Sequence, residues 1–214
     1  MVTYLCSLRT LTMNEDKEKQ NRHKKRMQRK KEHIDKKITE ANIERGIVVI
    51  LTGNGKGKSS SAFGMAIRAL GHQQKVVILQ FLKGDWSCGE QLFLRDHSDV
   101  EFHVMETGFT WVTQNREQDI AFADKVWQQA KRVLTDDSVD MVIMDELTYM
   151  LNYKYLSTEE VTDAISQRPN HQNVIITGRA ASAELIEIAD TVSEIKDVKH
   201  AFKNGIKAQK GVEF

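Results

Sequence analysis

Ile47-Val48-Val49-Ile50-Leu51-Thr52-Gly53-Asn54-Gly55-Lys56-Gly57-Lys58-Ser59 is the stretch that decides the fold of this chain. Its first five residues are a continuous run of branched apolar side chains, which is typical of a strand buried on both faces of a parallel sheet. Three glycines follow in the polar part, and a helical pattern begins at Lys58. A strand, a glycine-rich turn and a helix in this order provide the setting that a phosphate-binding loop needs.

The glycine-rich part of this stretch predicts a site for the phosphates of a nucleoside triphosphate. Its glycines let successive N–H groups point inward, and the N-terminus of the following helix adds roughly half a positive charge behind them. We expect Lys58 to bring a full charge to the phosphates and the Ser59 hydroxyl to bind Mg²⁺ or Mn²⁺. The alternative is a turn that only links strand to helix, and a Gly-Lys-Ser sequence so close to a strand argues against it. The predicted nucleotide-binding residues are Gly53, Asn54, Gly55, Lys56, Gly57, Lys58, Ser59 and Ser60.

A second nucleotide-binding element is predicted at residues 141–146. Four apolar residues there precede Asp145 and Glu146, and a carboxylate at the end of such a strand meets the metal directly or through water. We therefore expect both carboxylates to bind the metal together with Ser59. An exposed strand end is the alternative for these two residues alone. Farther along the helix that follows the loop, Arg68 either reaches a phosphate or pairs with a surface acid.

Strands and helices alternate along the remainder of the chain. After the first strand, apolar runs predict strands at residues 76–81, 100–104, 141–144, 174–176 and 191–195. Helical patterns follow the phosphate loop, run from about Ile120 to Leu134, and begin after Ser157, which forms a predicted capping box with Glu160. This alternation predicts an α/β protein, namely a three-layer P-loop fold of the RecA-like type with a mostly parallel sheet and helices on both faces. Its ligand site is expected at the carboxyl ends of the strands.

The N-terminal part differs in composition, so we divide the chain into an extension with a basic helical arm at residues 1–45 and a P-loop domain at residues 46–214. Residues 17–37 hold eleven Lys or Arg against three acids, a net charge of +8, although the whole chain carries only +1. Such a block is more often a solvated helix than a nucleic-acid contact. A helix is predicted from about residue 15 to residue 44, with a thin apolar stripe. Residues 1–12 fit neither part, and Met13 is a more natural start.

Length and composition exclude several classes of protein. The 214 residues suffice for one well-filled core and an arm, and no apolar run approaches the length that crosses a bilayer. The N-terminus also lacks the pattern of a secretory signal, so we expect a cytoplasmic protein without a membrane partner. Only Cys6 and Cys88 could form a disulfide, and both are expected to be free thiols.

A P-loop indicates nucleotide binding but does not identify the reaction. The segment at residues 105–111 offers a second indication, because it places Phe109 and Trp111 beside Gly108 in a predicted loop. Exposed aromatic rings two positions apart suggest a flat apolar ligand. Core packing of the two rings is the alternative, and the residues alone do not decide between the two.

Six short strings in unbroken order together resemble the ATP:corrinoid adenosyltransferase family of cobalamin synthesis and salvage, and the resemblance covers about residues 40–214. The departures are small, because Ser59 and Ser60 stand where the family more often has threonine, and serine keeps the hydroxyl. The strings are Gly-Asn-Gly-Lys-Gly-Lys-Ser at 53–59, Gln80-Phe81-Leu82-Lys83-Gly84 with Trp86 and Gly89-Glu90, Gly108-Phe109-Thr110-Trp111 with Thr113-Gln114, Asp145-Glu146-Leu147-Thr148-Tyr149, Ile176-Thr177-Gly178-Arg179 and Val198-Lys199-His200-Ala201-Phe202.

The resemblance implies that ATP is an alkyl donor. The cobalt of cob(I)alamin or cob(I)yrinic acid a,c-diamide would attack the 5′ carbon of the ribose and release inorganic triphosphate. ATP would then lie reversed in the loop compared with most P-loop proteins. Lys56, an extra cation in a variant loop that has Thr52 in place of the usual glycine, and Lys58 would stabilise the departing phosphates together with Mg²⁺.

The resemblance also implies which residues act on the corrinoid substrate. Phe109 and Trp111 would displace the lower axial ligand of the cob(II) substrate and so ease its reduction, because ligand identity and apolar surroundings both change the potential of a metal. An N-terminal helix would fold over the corrin, with Met27, Ile34 and Ile38 facing the ring. A flavodoxin-type reductant and a homodimer are further expectations from the family.

Two other functions fit part of the sequence. An ordinary P-loop ATPase or kinase would keep Phe109 and Trp111 in its core and would release ADP. A nucleic-acid-binding ATPase would use the basic arm and would bind DNA with a steep salt dependence. The six strings favour the adenosyltransferase over both, so we expect no nucleic-acid partner.

Overall fold

The computed structural model describes residues 2–82, 88–105 and 115–213, and it describes side chains from residue 19 onward. The chain divides into two compact units, one ending at Glu44 and the other beginning at Arg45.

The first unit contains one long helix, α1 (Val2–Glu40). It begins earlier and ends sooner than the helix predicted from composition. Its early start has a simple cause, because no glycine or proline interrupts the chain before Gly46. Met27, Ile34 and Ile38 are exposed on this unit, as are the charged residues around them.

The second unit is built on one sheet whose six strands are all parallel within the described residues, in the order β3-β2-β4-β5-β1-β6. The predicted α/β class and parallel sheet are therefore confirmed, and each predicted strand is present within one or two residues of its expected bounds. The strands are β1 (Val48–Thr52), β2 (Val76–Gln80), β3 (Val100–Val104), β4 (Met141–Asp145), β5 (Asn173–Thr177) and β6 (Thr191–Glu194).

Helices connect successive strands. Among the described α-helices, four begin with a side chain that accepts a backbone N–H bond in the first turn, namely Cys88, Asn115, Ser157 and Ser182. The helices after α1 are α2 (Lys58–Gly71), α3 (Gly89–Leu94), α4 (Arg116–Val133), α5 (Leu147–Asn152), α6 (Thr158–Ser166) and α7 (Ala183–Glu187), and a short 3₁₀ helix covers Ala201–Asn204.

The predicted capping box at Ser157 is only half correct. Ser157 Oγ accepts from the N–H of Glu160, as expected. The carboxylate of Glu160 accepts instead from Trp127 Nε1 and Lys131 Nζ, both at 2.9 Å. A buried indole N–H is costly without an acceptor, so the Glu160 side chain points toward α4 and not toward its own helix N-terminus.

The core lies on both faces of the sheet. Alternate residues of one strand point to opposite faces, so Ile50 packs in a cluster with Trp127 of α4, whereas Leu51 packs with Phe63 of α2. All five residues of β1, β2 and β4 are buried, which explains why the first four residues of each strand are apolar. In the parts of the chain that the structure describes, no helix combines the length and apolar content needed to cross a membrane.

Candidate active site

A cleft of about 940 Å³ opens at the carboxyl ends of the strands. Its walls include the loop between β1 and α2, the ends of β2 and β4, helix α3 and residues that follow β6. This volume is near the upper end of the range of about 300–1,000 Å³ that is usual for small-molecule sites. The cleft therefore lies where the sequence predicts a ligand site.

The loop between β1 and α2 needs its glycines for two different reasons. Gly57 has φ of 109° and caps α2 in the left-handed region, where other residues are strained. Gly55 instead packs against the chain after β6, and a Cβ there would lie 2.6 Å from the carbonyl oxygen of Lys196. Its N–H donates to the carbonyl of Ile195 at 2.7 Å. The loop is thus held in one conformation by the neighbouring segment.

Lys58 is the buried cation of this loop, with only 7% of its surface exposed. Its Nζ donates to the carbonyl oxygen of Gly55 at 2.9 Å, so the ammonium lies across the loop. Burial lowers the pKa of Lys58, and the charge of Glu146 opposes that change. Ser59 and Ser60 in the first turn of α2 line the same cleft.

Lys56 is held by a residue far away in sequence. Its Nζ forms an ion pair with Glu213, and both side chains line the cleft. No local pattern could have identified Glu213, because the two residues are 157 positions apart. The extra cation of the loop is therefore paired within the chain.

Asp145 and Glu146 play different parts at the end of β4. Asp145 is buried, and its two oxygens accept from Thr177 Oγ1 at 2.7 Å and from Gln80 Nε2 at 3.3 Å. Thr177 Oγ1 in turn accepts from the N–H of Glu146 at 2.9 Å. Asp145 thus ties together the ends of β2, β4 and β5 and fixes the backbone from which Glu146 projects.

Glu146 has the features of a functional carboxylate. Its φ of 57° and ψ of 25° place it in the left-handed region, which a non-glycine residue occupies at a cost and often at a functional site. Its Oε2 is buried without a hydrogen-bond partner among the described residues. Burial and then the charge of Asp145 raise the pKa of Glu146 to about 7.

The cleft fits a divalent cation that is shared with phosphates. The unpartnered Glu146 Oε2 and the Ser59 hydroxyl line it together, and Mg²⁺ is usually held by one or two carboxylates with substrate phosphates and water. Among the described residues, no group of three or more His, Cys, Asp or Glu could hold a metal ion alone. The residues therefore suit a metal that arrives with a nucleotide, with Glu146 rather than Asp145 as the free carboxylate.

We expect replacement of Glu146 by glutamine to change the pH dependence of folding. A carboxyl group whose pKa is raised from 4.5 to about 7 stabilises the fold below pH 4.5, and that contribution is lost as the pH rises through 7. Relative to Glu146→Gln, the ligand-free chain should lose ~3 kcal/mol of unfolding free energy between pH 4.5 and pH 8. Denaturant titrations at both pH values measure this difference. An exposed control, Glu159→Gln, should show none of it, and parallel curves for the chain and Glu146→Gln would contradict the assignment.

Arg179 belongs to the family string at residues 176–179, but the sequence alone predicts no role for it. It follows Gly178 at the end of β5 and lines the cleft. The signal that could have identified it was its position just after a buried parallel strand, the same signal that identified Glu146.

Two of the predicted nucleotide-binding residues, Gly53 and Arg68, do not line this cleft. Arg68 is exposed in the last turn of α2, about 15 Å along the helix from Lys58, and does not line the cleft. Helix geometry explains this, because α2 runs away from the loop that begins it. Phe109 and Trp111 lie outside the described residues. Met105, which precedes them, is buried at the end of β3 and donates its N–H to the carbonyl of Gln80.

Comparison with known proteins identifies the family of this chain. A family model described as ATP:corrinoid adenosyltransferase BtuR/CobO/CobP matches residues 44–214. The chain belongs to the ATP:corrinoid adenosyltransferase family. A second model, described as Cob(I)alamin adenosyltransferase N terminal, matches residues 13–38 of this adenosyltransferase-family chain.

Similar proteins cover nearly the whole of this family member. The corrinoid adenosyltransferase of Escherichia coli is 55% identical over 193 residues, which are 90% of this chain and 98% of that protein. The corrinoid adenosyltransferase CobA of Salmonella typhimurium is 52% identical over the same shares of the two chains. The corrinoid adenosyltransferase of Pseudomonas aeruginosa is 53% identical over 203 residues, 94% of this chain and 100% of that protein. The resemblance inferred from six strings is thus confirmed.

Proposed function

We propose that this chain transfers the 5′-deoxyadenosyl group of ATP to the cobalt of a reduced corrinoid, cob(I)yrinic acid a,c-diamide or cob(I)alamin, and releases triphosphate. The observation that carries the proposal is the family match over residues 44–214, within which the phosphate loop and Glu146 meet in one cleft. In a P-loop protein of another family, the same cleft would serve phosphoryl transfer equally well.

The reaction needs charge stabilisation and no general acid or base. Cobalt(I) supplies the electron pair of the new Co–C bond, and the electron pair of the C5′–O bond leaves with the triphosphate. Lys58, the N–H groups of the loop and Lys56 would stabilise the charge that builds on the leaving group. Such donors contribute most when they are fixed in place beforehand, and Lys58 is held by the carbonyl of Gly55.

Ser59 and Glu146 would hold Mg²⁺ or Mn²⁺ beside the phosphates, with Asp145 as the residue that fixes the backbone of Glu146. The metal would neutralise phosphate charge when it is bound. The unpartnered Glu146 Oε2 supports this assignment, as does the hydroxyl of Ser59 in the same cleft.

Phe109 and Trp111 remain the predicted residues on the corrinoid side. Their support is the family resemblance and the position of β3, which ends at the same edge of the sheet as the cleft. A flavodoxin-type reductant, a homodimeric assembly and a cytoplasmic location complete the proposal. Each of these three rests on the family and on the sequence.

The test is an incubation of the purified chain with ATP, Mg²⁺ and chemically reduced cob(I)alamin under anaerobic conditions. We expect a light-sensitive product with a cobalt–carbon bond and one equivalent of inorganic triphosphate, which absorbance and ³¹P NMR detect. Release of ADP and phosphate without an adenosylated corrinoid would instead favour an ATPase or kinase.

The N-terminal helix is expected to affect corrinoid binding more than ATP binding. Deletion of residues 1–40 removes Met27, Ile34 and Ile38, and burial of such side chains against a ligand is worth about 1.5–3 kcal/mol each. The KM for the corrinoid should rise at least about tenfold, whereas the KM for ATP should stay within about twofold, less than 0.5 kcal/mol. Steady-state kinetics with cob(I)alamin measures both, and an unchanged corrinoid KM would refute the covering role.

A further inference from the structure

We propose that Arg179 binds the triphosphate part of ATP and stabilises it as a leaving group, acting from the side of the cleft formed by the end of β5. The inference deepens the proposed function and rests on it, because it assigns a residue to the departing triphosphate. Four features of the structure support it. They are the charge balance of the cleft, the lack of a partner for Arg179 among the described residues, the repulsion between cations of the cleft, and the rigid backbone on both sides of Arg179.

The first feature is the charge balance of the cleft. The charged residues that line it are three cations and four carboxylates, namely Lys56, Lys58, Arg179, Glu90, Asp145, Glu146 and Glu213. Without Arg179 the lining would hold two cations against four acids. A polyanionic triphosphate could hardly bind there, even with one divalent metal.

The second feature is that the side chain of Arg179 has no partner among the described residues. Lys56 is engaged by Glu213, and Lys58 donates to the carbonyl of Gly55. In the part of the chain that the structure describes, the guanidinium of Arg179 has neither an ion-pair partner nor a hydrogen-bond acceptor. Its five N–H groups are therefore available to an incoming ligand, and their planar fork matches the oxygens of a phosphate.

The third feature is repulsion between the cations of the cleft. The charge of Arg179 interacts unfavourably with the charge of Lys58, which lines the same cleft. It interacts favourably with the charge of Glu146 on another wall of that cleft. Arg179 therefore lies within electrostatic reach of both the loop and the carboxylate. An anion between Lys58 and Arg179 would relieve their repulsion, as expected of a site made for phosphates.

The fourth feature is the rigid backbone on both sides of Arg179. Gly178 has φ of 139°, and a Cβ there would lie 2.0 Å from Thr148 Oγ1, so only glycine fits. Ala180 has φ of 50°, a strained value for alanine. The carbonyl of Arg179 accepts from Asn152 Nδ2 at 3.1 Å. These contacts fix the base of the side chain and leave its charged end exposed.

The four features fit the leaving group better than the adenosine or the corrin. When the C5′–O bond breaks, its electron pair moves onto the triphosphate, whose negative charge rises by one. A guanidinium that is held nearby binds this product more strongly than it binds ATP. Arg179 should thus influence kcat as well as nucleotide affinity.

The experiment compares Arg179→Ala and Arg179→Lys with the unmodified chain by calorimetric titration with Mg²⁺ and inorganic triphosphate. We expect the Kd for triphosphate to rise at least about tenfold in Arg179→Ala and less in Arg179→Lys, which keeps the charge but loses the fork. With saturating ATP and cob(I)alamin, kcat should fall about 100-fold in Arg179→Ala.

The control is Arg95→Ala, because Arg95 is an exposed arginine that pairs with Asp96 and does not line the cleft. Its triphosphate Kd and kcat should match those of the unmodified chain.

Melting temperatures of all variants detect any loss of folding. A purely structural role would lower the melting temperature of Arg179→Ala without a selective loss of triphosphate binding. Unchanged triphosphate Kd and kcat in a folded Arg179→Ala variant would overturn the proposal. Failure of the unmodified chain to adenosylate cob(I)alamin would overturn the proposed function instead, and the triphosphate titration would still decide whether Arg179 binds phosphates.

Discussion

Replacement of Lys58 by alanine should lower kcat/KM for ATP by about 10³-fold, the largest effect that we expect of any single change. Removal of one fixed donor from a site where negative charge develops costs about 10²–10³ in rate, and Lys58 also contributes to ATP binding. Its ammonium is buried and held by the carbonyl of Gly55, so neither water nor another side chain can replace it readily. Initial rates of adenosylcobalamin formation at varied ATP concentration measure the loss.

A matched lysine provides the control for this change. The ammonium of Lys75 donates to Ser138 Oγ and does not line the cleft, so Lys75→Ala should keep the activity of the unmodified chain. Lys58→Arg keeps the charge but not the compact ammonium, and we expect it to recover little of the activity. A folded Lys58→Ala variant with more than about a tenth of the activity, a deficit of less than 1.4 kcal/mol, would contradict the role assigned to the loop.

Replacement of Trp111 by alanine should also slow the reaction strongly, and the size of the loss should depend on how the cobalt is supplied. Displacement of the lower ligand matters for the reduction of cob(II) and has no part in the attack by cob(I). With cob(II)alamin and a reductant we expect a fall in rate of about 10–100-fold. With cob(I)alamin that has been reduced beforehand, the same variant should lose only a few-fold, less than about 1 kcal/mol.

Two comparisons make the Trp111 experiment decisive. Trp111→Phe keeps a bulky apolar ring and should retain most of the activity in both assays. The spectrum of bound cob(II)alamin reports the lower ligand directly, and the form without that ligand should be depleted in Trp111→Ala. Equal losses in the two rate assays would remove the ligand-displacement role of Trp111.

The sequence could predict those parts of the fold that depend on residues close together in the chain. The run from Ile47 to Leu51 and the glycine-rich loop after it specify a buried strand, a turn and a helix within a short stretch, and β1 and α2 match this prediction. Strand order could not be derived in the same way. The lateral position of β1 between β5 and β6 depends on crossovers that join distant segments.

The distinction between local patterns and contacts of distant residues also explains which parts of the site could be predicted. The location of Lys58, Ser59 and Glu146 in one cleft could be predicted, because each has a fixed place relative to the end of a strand. The pairing of Lys56 with Glu213 could not, since it joins residues 157 positions apart. The different roles of Asp145 and Glu146 were equally hidden, because they depend on Thr177 and Gln80 from neighbouring strands, which satisfy one carboxylate and leave the other without a partner.

The central claim is that the ribose carbon, and not a phosphorus atom, is attacked. ATP labelled with ¹⁸O at the oxygen that joins the 5′ carbon to the α-phosphate tests it directly in a single turnover with cob(I)alamin. Cleavage of the carbon–oxygen bond predicts that all of the label is recovered in inorganic triphosphate, where mass spectrometry and the isotope shift in ³¹P NMR detect it. Label retained on the nucleoside product, or recovered in ADP, would show that a phosphorus–oxygen bond was broken and would contradict the proposed reaction.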